Sequence, residues 1–147
     1  MTDGLPGRLL AVDWGERRIG LALSDESQTL AQPLATLTRR PGKRFPMARL
    51  LEHVTTQQVV GFVVGLPLDQ SGAEGDAARA ARALADDIGR RAALPVTLWD
   101  ERMTTARVLA TVREMGGSTR GRKEDVDALA AALLLQHYLD ARRGGTT

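Results

Sequence analysis

The chain has 147 residues, the usual size of a single domain with one hydrophobic core. Hydrophobic residues make up 43% and charged residues 26%, proportions that exclude a disordered chain. The absence of cysteine excludes disulfides, thiolate nucleophiles and cysteine-ligated metal sites, and the 20 basic and 18 acidic residues give a formal net charge of +2. Because no apolar run is long enough to cross a membrane, we expect a cytoplasmic protein without a membrane segment.

Three strands are predicted in the first part of the chain. Residues 8–13 and 18–24 are short apolar runs joined by a polar turn, a pattern typical of a β-hairpin. A third apolar run, Leu34–Thr38, ends before the Pro41-Gly42 pair and predicts a third antiparallel strand.

Helices and strands then alternate. Apolar residues at helical spacing predict helices, and continuous apolar runs predict buried strands. The predicted order is a helix over Phe45–Gln57, a strand over 59–64, a helix over Ala73–Ala93, a strand over Pro95–Trp99, a helix from Thr104 or Thr105 to Met115, and a helix over Glu124–Arg142.

The predicted fold class is α/β, with a five-stranded mixed sheet and helices on both faces. An antiparallel hairpin meander comes first and parallel strands follow, which is the order of the ribonuclease H-like fold. We predict one domain over residues 8–143, with frayed termini at 1–7 and 144–147.

Asp13 stands at the end of an otherwise apolar strand. A buried carboxylate is costly unless a cation or hydrogen bonds compensate its charge. The residue types fit a metal ligand and, equally, an aspartate that binds the amides of its own hairpin turn. The spacing leaves both interpretations open.

Asp100 and Glu101 directly follow the fifth predicted strand. Carboxylates at strand ends lie on the rim of a sheet, where ligands usually bind. Asp100 is more typical of a turn or a helix cap, so Glu101 is the preferred ligand candidate.

Acidic residues also begin the last predicted helix, where they favour the helix dipole. The expected inward stripe comprises Val126, Leu129, Ala130, Leu133 and Leu134, with His137 near its centre as a core residue. Asp127 lies about 80° from the centre of this stripe and Asp125 about 120° on the other side. We therefore predict that Asp127 faces the sheet and that Glu124 and Asp125 are solvated or capping acids.

Asp13, Glu101 and Asp127 together predict a hard-oxygen site for Mg²⁺ or Mn²⁺. Phosphoryl chemistry is the natural use of such a site. Two ions about 4 Å apart can activate a water molecule and stabilise the leaving oxygen in an in-line displacement.

Basic residues flank these carboxylates. Arginine binds phosphate through paired hydrogen bonds, so nucleic acid is the expected partner. The predicted contacts are Arg17, Arg18, Arg120, Arg122 and Lys123, the last three in or beside a glycine-containing loop that we expect to be mobile. A second group, Arg39 to Arg44, is interpreted as a solvated loop.

Four motifs in this order resemble the YqgF family, also called RuvX. They are DWGERRIGLALSD at 13–25, GLPLDQSG at 65–72, DERMTT at 100–105 and KEDVDALAA at 123–131. The resemblance covers about Leu9 to Asp140, and it implies that Asp13, Glu101 and Asp127 are the catalytic carboxylates. Asp69 departs from the asparagine, and Met103 from the leucine, usual in the family.

The resemblance implies a metal-dependent endonuclease of structured nucleic acid, processing the precursor of 16S ribosomal RNA. The alternatives are a Holliday junction resolvase acting on branched DNA and a non-catalytic nucleic-acid-binding assembly factor. A kinase-like or actin-like ATPase is disfavoured because such proteins need a second domain to close over ATP. A homodimer is left open.

Overall fold

The computed structural model describes residues 6–15, 17–39, 44–68, 71–100 and 123–143. Five strands form one sheet in the order β3-β2-β1-β4-β5. The hairpin pairs β1–β2 and β2–β3 are antiparallel, whereas β1–β4 and β4–β5 are parallel. The strands are β1 Arg8–Asp13, β2 Arg18–Ser24, β3 Ala31–Thr38, β4 Val59–Leu66 and β5 Val96–Asp100. The predicted mixed sheet is confirmed.

Helices cover both faces of the sheet, as predicted. They are α1 Met47–Thr56, α2 Asp76–Ala92 and α3 Lys123–Arg143. Leu10 and Val12 of β1 share a core with α1 and α2, whereas Leu9 and Ala11 share a second core with α3. Because successive strand residues point to opposite faces, a strand covered on both sides must be apolar throughout.

Two element boundaries differ from the predicted ones by three residues, and the other described boundaries by two or fewer. Strand β3 begins at Ala31 rather than Leu34, since an edge strand pairs through its backbone and tolerates the exposed Gln32 and Pro33. Helix α2 begins at Asp76 rather than Ala73. The helix predicted between 104 and 115 lies outside the described residues, and the domain limits at 8 and 143 stay a prediction.

The expected inward stripe of α3 is only partly right: Ala130 and Leu134 are buried as predicted, but the buried face is rotated away from the other expected positions. Leu129 is 42% exposed and His137 is also exposed, whereas Ala131, Leu135 and Leu139 are buried against the sheet. Residues 126–135 are almost all apolar, so their spacing does not define a single face. None of the helices in the described part of the chain has the length and apolar character of a membrane span.

Candidate functional site

Asp13 occupies the last position of β1 and is only 5% exposed. By strand alternation it continues the face of Leu9 and Ala11, which α3 covers. Its partner across the antiparallel pair is Gly20 of β2. A carboxylate is therefore buried where the first strand ends, beneath the last helix.

Among the described glycines, Gly20 is the one that α3 approaches most closely. A Cβ atom added to Gly20 would lie 2.0 Å from the backbone carbonyl oxygen of Asp127. Only glycine permits this approach. The contact places the backbone of Asp127 directly over the strand pair that carries Asp13.

Asp127 has no exposed surface, so the prediction that it faces the sheet is confirmed. Its Oδ2 atom accepts a hydrogen bond of 2.7 Å from Nε of Arg18, and the two side chains form an ion pair. The guanidinium compensates a charge that burial alone would make costly.

The structure thus brings Asp13 and Asp127 to the same part of the sheet, whereas Glu101 lies outside the described residues. Strand β5 ends at Asp100, whose strand partner is Leu66 of β4. Among the side chains that the structure describes, no group of three His, Cys, Asp or Glu residues is arranged to hold a metal ion.

Strand β5 contacts α3 through an aromatic cluster beside this site. The indole Nε1 of Trp99 donates a hydrogen bond of 2.9 Å to Nδ1 of His137. The ring of Tyr138 meets Trp99 edge-on, with centroids 5.2 Å apart. His137 is therefore a surface partner of Trp99 rather than the core residue that its spacing suggests.

The predicted nucleic-acid contacts have different surroundings. Arg17 is exposed, whereas Arg18 is directed to Asp127. Arg120 and Arg122 lie outside the described residues, and Lys123 is the first residue of α3.

Arg39 is a rim residue, although its sequence neighbourhood predicts a solvated loop. Its guanidinium lies over the Trp14 ring, 4.9 Å from the centroid, and its backbone N–H donates to the Arg17 carbonyl at 2.7 Å. The sequence could have predicted this position of Arg39, because a third antiparallel strand ending at Thr38 returns the chain to the start of β2.

Asp25, the last residue of the first motif, has a structural role. Its carboxylate accepts hydrogen bonds from the backbone N–H groups of Thr29 and Leu30 and from the Ser27 hydroxyl. These bonds, chiefly that from Thr29, lower the pKa of Asp25 below its ordinary value. Elsewhere on the surface, the ion pair with Arg82 lowers the pKa of Glu74 and raises that of Arg82.

The fold and site define a class: a ribonuclease H-like α/β domain with buried carboxylates where β1 ends and α3 crosses the sheet. The chain belongs to the RuvX family, described as a Holliday junction resolvase, whose profile matches residues 7–141.

Sequence relatives cover nearly the whole chain. A Koribacter versatilis protein is 43% identical over 136 residues, spanning 92% of this chain and 88% of its own. A Paramagnetospirillum magneticum protein is 42% identical over 137 residues, spanning 93% and 88%. Both are named "Putative pre-16S rRNA nuclease".

Solved structures share the fold. The RuvC protein of T. thermophilus, in complex with a Holliday junction substrate, superposes with a TM-score of 0.54 at 21% identity. The match covers 94% of this chain and 96% of RuvC.

Proposed function

We propose that the protein is a metal-dependent endonuclease that cleaves phosphodiester bonds in structured nucleic acid. The favoured substrate is precursor 16S ribosomal RNA. The observation that carries the proposal is the placement of the buried Asp127 over the strand pair that holds Asp13. The names of the relatives support the substrate.

The donor chemistry fits a hard divalent cation. Asp13 and Asp127 supply carboxylate oxygens, and the chain has no cysteine to favour a softer metal. Glu101 follows β5 directly, two residues after Trp99, which packs on the face covered by α3. We propose that these three carboxylates hold Mg²⁺ or Mn²⁺ as a pair of ions, which would supply water activation and stabilisation of the leaving oxygen.

The chain's own residues bind and orient the substrate. Arg17 is exposed beside the end of β1, and Arg39 is held next to it by the backbone bond and the Trp14 ring. We propose that both contact backbone phosphates close to the carboxylates, together with Arg120 and Arg122.

The test is cleavage of precursor 16S RNA and of a four-way DNA junction, each with Mg²⁺ and with Mn²⁺. Asp13→Asn is expected to lower cleavage by roughly a thousandfold while binding survives. Its melting temperature in chelator should be unchanged or slightly higher, since removing one of several close carboxylates relieves repulsion. Asp86→Asn, an exposed change on α2, is the matched control and should cleave normally.

Each other outcome has a definite meaning. Cleavage of the junction alone assigns resolvase activity, which the family description favours as the second candidate. Binding without cleavage by the wild type assigns a non-catalytic assembly factor. If the Asp13→Asn variant cleaves as fast as the wild type, Asp13 is not part of the catalytic site. If the variant is much less stable than the wild type, Asp13 is a structural residue of the hairpin turn.

The proposal includes a cytoplasmic location and leaves the homodimer to measurement. Cell fractionation checks the location. Sedimentation of the full chain with and without RNA determines whether one or two copies bind.

A further inference from the structure

The contact between Arg18 and Asp127 joins the hairpin to the last helix. Arg18 begins β2, two residues before Gly20, and therefore lies on the same face of the strand. Its side chain is 25% exposed, whereas that of Asp127 is fully buried, and the bond between Nε and Oδ2 is 2.7 Å. The exposed part of the pair is thus the cation and the hidden part is the carboxylate.

A buried carboxylate needs a positive charge or several hydrogen-bond donors to remain ionised. In the metal-free protein Arg18 supplies a full positive charge at hydrogen-bonding distance. The planar guanidinium also restricts rotation of the carboxylate, because its N–H groups point in fixed directions. A divalent cation that binds Asp127 must share this carboxylate with Arg18 and is repelled by it.

We propose that Arg18 is a positioning residue of the carboxylate site rather than a contact to nucleic acid. It holds Asp127 in place when no metal is bound, and its charge weakens the affinity of the site for a divalent cation. The inference rests on the proposed function only for the presence of a divalent ion at Asp127.

The first experiment is a double-mutant cycle on thermal stability in excess chelator, with Arg18→Gln, Asp127→Asn and the double variant. Arg18→Gln removes the cation that pairs with a buried carboxylate and should lower the melting temperature by about 6–12 °C. In the double variant both charges are gone, so the loss should be clearly smaller than the sum of the two single losses. Arg18→Lys restores the charge and should recover part of the stability.

The second experiment measures Mn²⁺ binding by isothermal titration calorimetry on the same full-length variants. Removing the competing charge in Arg18→Gln should tighten Mn²⁺ binding about tenfold, whereas Arg18→Lys should stay near the wild type. Arg91→Gln, which removes an exposed positive charge at the end of α2, is the matched control and should leave Mn²⁺ affinity unchanged.

Additive stability losses would overturn the claim that Arg18 holds Asp127. Equal or weaker Mn²⁺ binding by Arg18→Gln would overturn the claim that it opposes the cation. If Arg18→Gln does not fold, a folded double variant supports the pairing, and an unfolded double variant contradicts it. Neither experiment uses nucleic acid, so failure to find cleavage refutes the proposed function and leaves this inference standing.

Discussion

Asp25 shows how a single motif carboxylate can stabilise a turn instead of serving a site. It lies at the end of the sheet opposite Asp13, where Ser24 Oγ accepts a hydrogen bond of 2.9 Å from the N–H of Leu9. The donors of Thr29 and Leu30 lie 2.8 and 3.1 Å from Oδ1. Asp25 thus binds the amides of its own turn, the kind of role that the sequence left open for Asp13 in a different turn.

Asp25→Asn should make the free energy of unfolding depend less steeply on pH in acid. The folded-state pKa of Asp25 is lowered from 3.8, so its charge stabilises the fold above that pH. This stabilisation is lost as the pH falls below about 4 and through the folded-state pKa. The free energy of unfolding, measured in urea between pH 5 and pH 2.5, should therefore fall less steeply in the variant.

Ser27→Ala is the companion variant for Asp25. It removes one of the three hydrogen bonds to the carboxylate and should give an intermediate slope. If Asp25→Asn and the wild type show the same slope, the hydrogen bonds do not lower the pKa as described.

At the scale of elements, the packing of α3 against β2 decides the geometry of the site. The helix presents small residues to the sheet, with Ala128, Ala131 and Ala132 buried, and Gly20 lies beneath it. Small side chains on both sides let the two backbones approach closely. The position of the Asp127 backbone therefore depends on contacts that contain no charge, whereas its carboxylate is paired with Arg18.

Gly20→Ala should separate α3 from the sheet. The new Cβ would lie 2.0 Å from the carbonyl oxygen of Asp127, a distance that real structures do not contain. We expect a loss of about 3 kcal/mol in the free energy of unfolding, because backbone rather than a flexible side chain must move. Chemical denaturation of the variant and the wild type measures this difference in the free energy of unfolding.

Gly75→Ala is the matched control for a new methyl group. A Cβ at Gly75 meets nothing within 4 Å, and the residue precedes α2 in extended conformation. Because Gly75 is the N-cap of α2, where alanine is less favourable than glycine, its stability should fall by no more than about 1 kcal/mol. A similarly small loss for Gly20→Ala would mean that α3 can move without cost.

At the scale of the whole molecule, positively charged residues lie at the end of the sheet that carries Asp13. Arg17 and Arg39 lie there in the described structure. The sequence adds Arg120 and Arg122 shortly before α3, and Lys123 at its start. Counter-ions released from phosphates by such groups give binding a strong dependence on salt.

Replacing Arg120, Arg122 and Lys123 with alanine should weaken binding to unrelated RNA sequences equally. The slope of log affinity against log salt should decrease by about one unit for each lost phosphate contact. Fluorescence anisotropy over a range of salt concentrations measures both quantities.

A triple alanine variant at Arg79, Arg90 and Arg91 of α2 controls for net charge, since α2 lies on the other face of the sheet from α3. It should keep the wild-type slope. The predicted loop contact is wrong if the two triple variants behave alike.

The sequence by itself determined the order of the strands and helices that the structure describes, the two covered faces of the sheet and the burial of Asp127. These features follow from local patterns, because strand and helix periods and apolar runs record which residues avoid water. The burial of Asp13 at the end of β1 was also expected from its apolar strand. The participation of Glu101 stays a prediction, since that residue lies outside the described structure.

Only the tertiary structure decided the rotation of α3 and the partners of Arg18 and Arg39. An almost uniformly apolar helix has no preferred face in its sequence, so its rotation was decided by the close approach at Gly20. The Arg18 contact joins residues 109 positions apart, and no local pattern specifies which distant charge will neutralise a buried one. That choice is made when the hairpin and the last helix pack together.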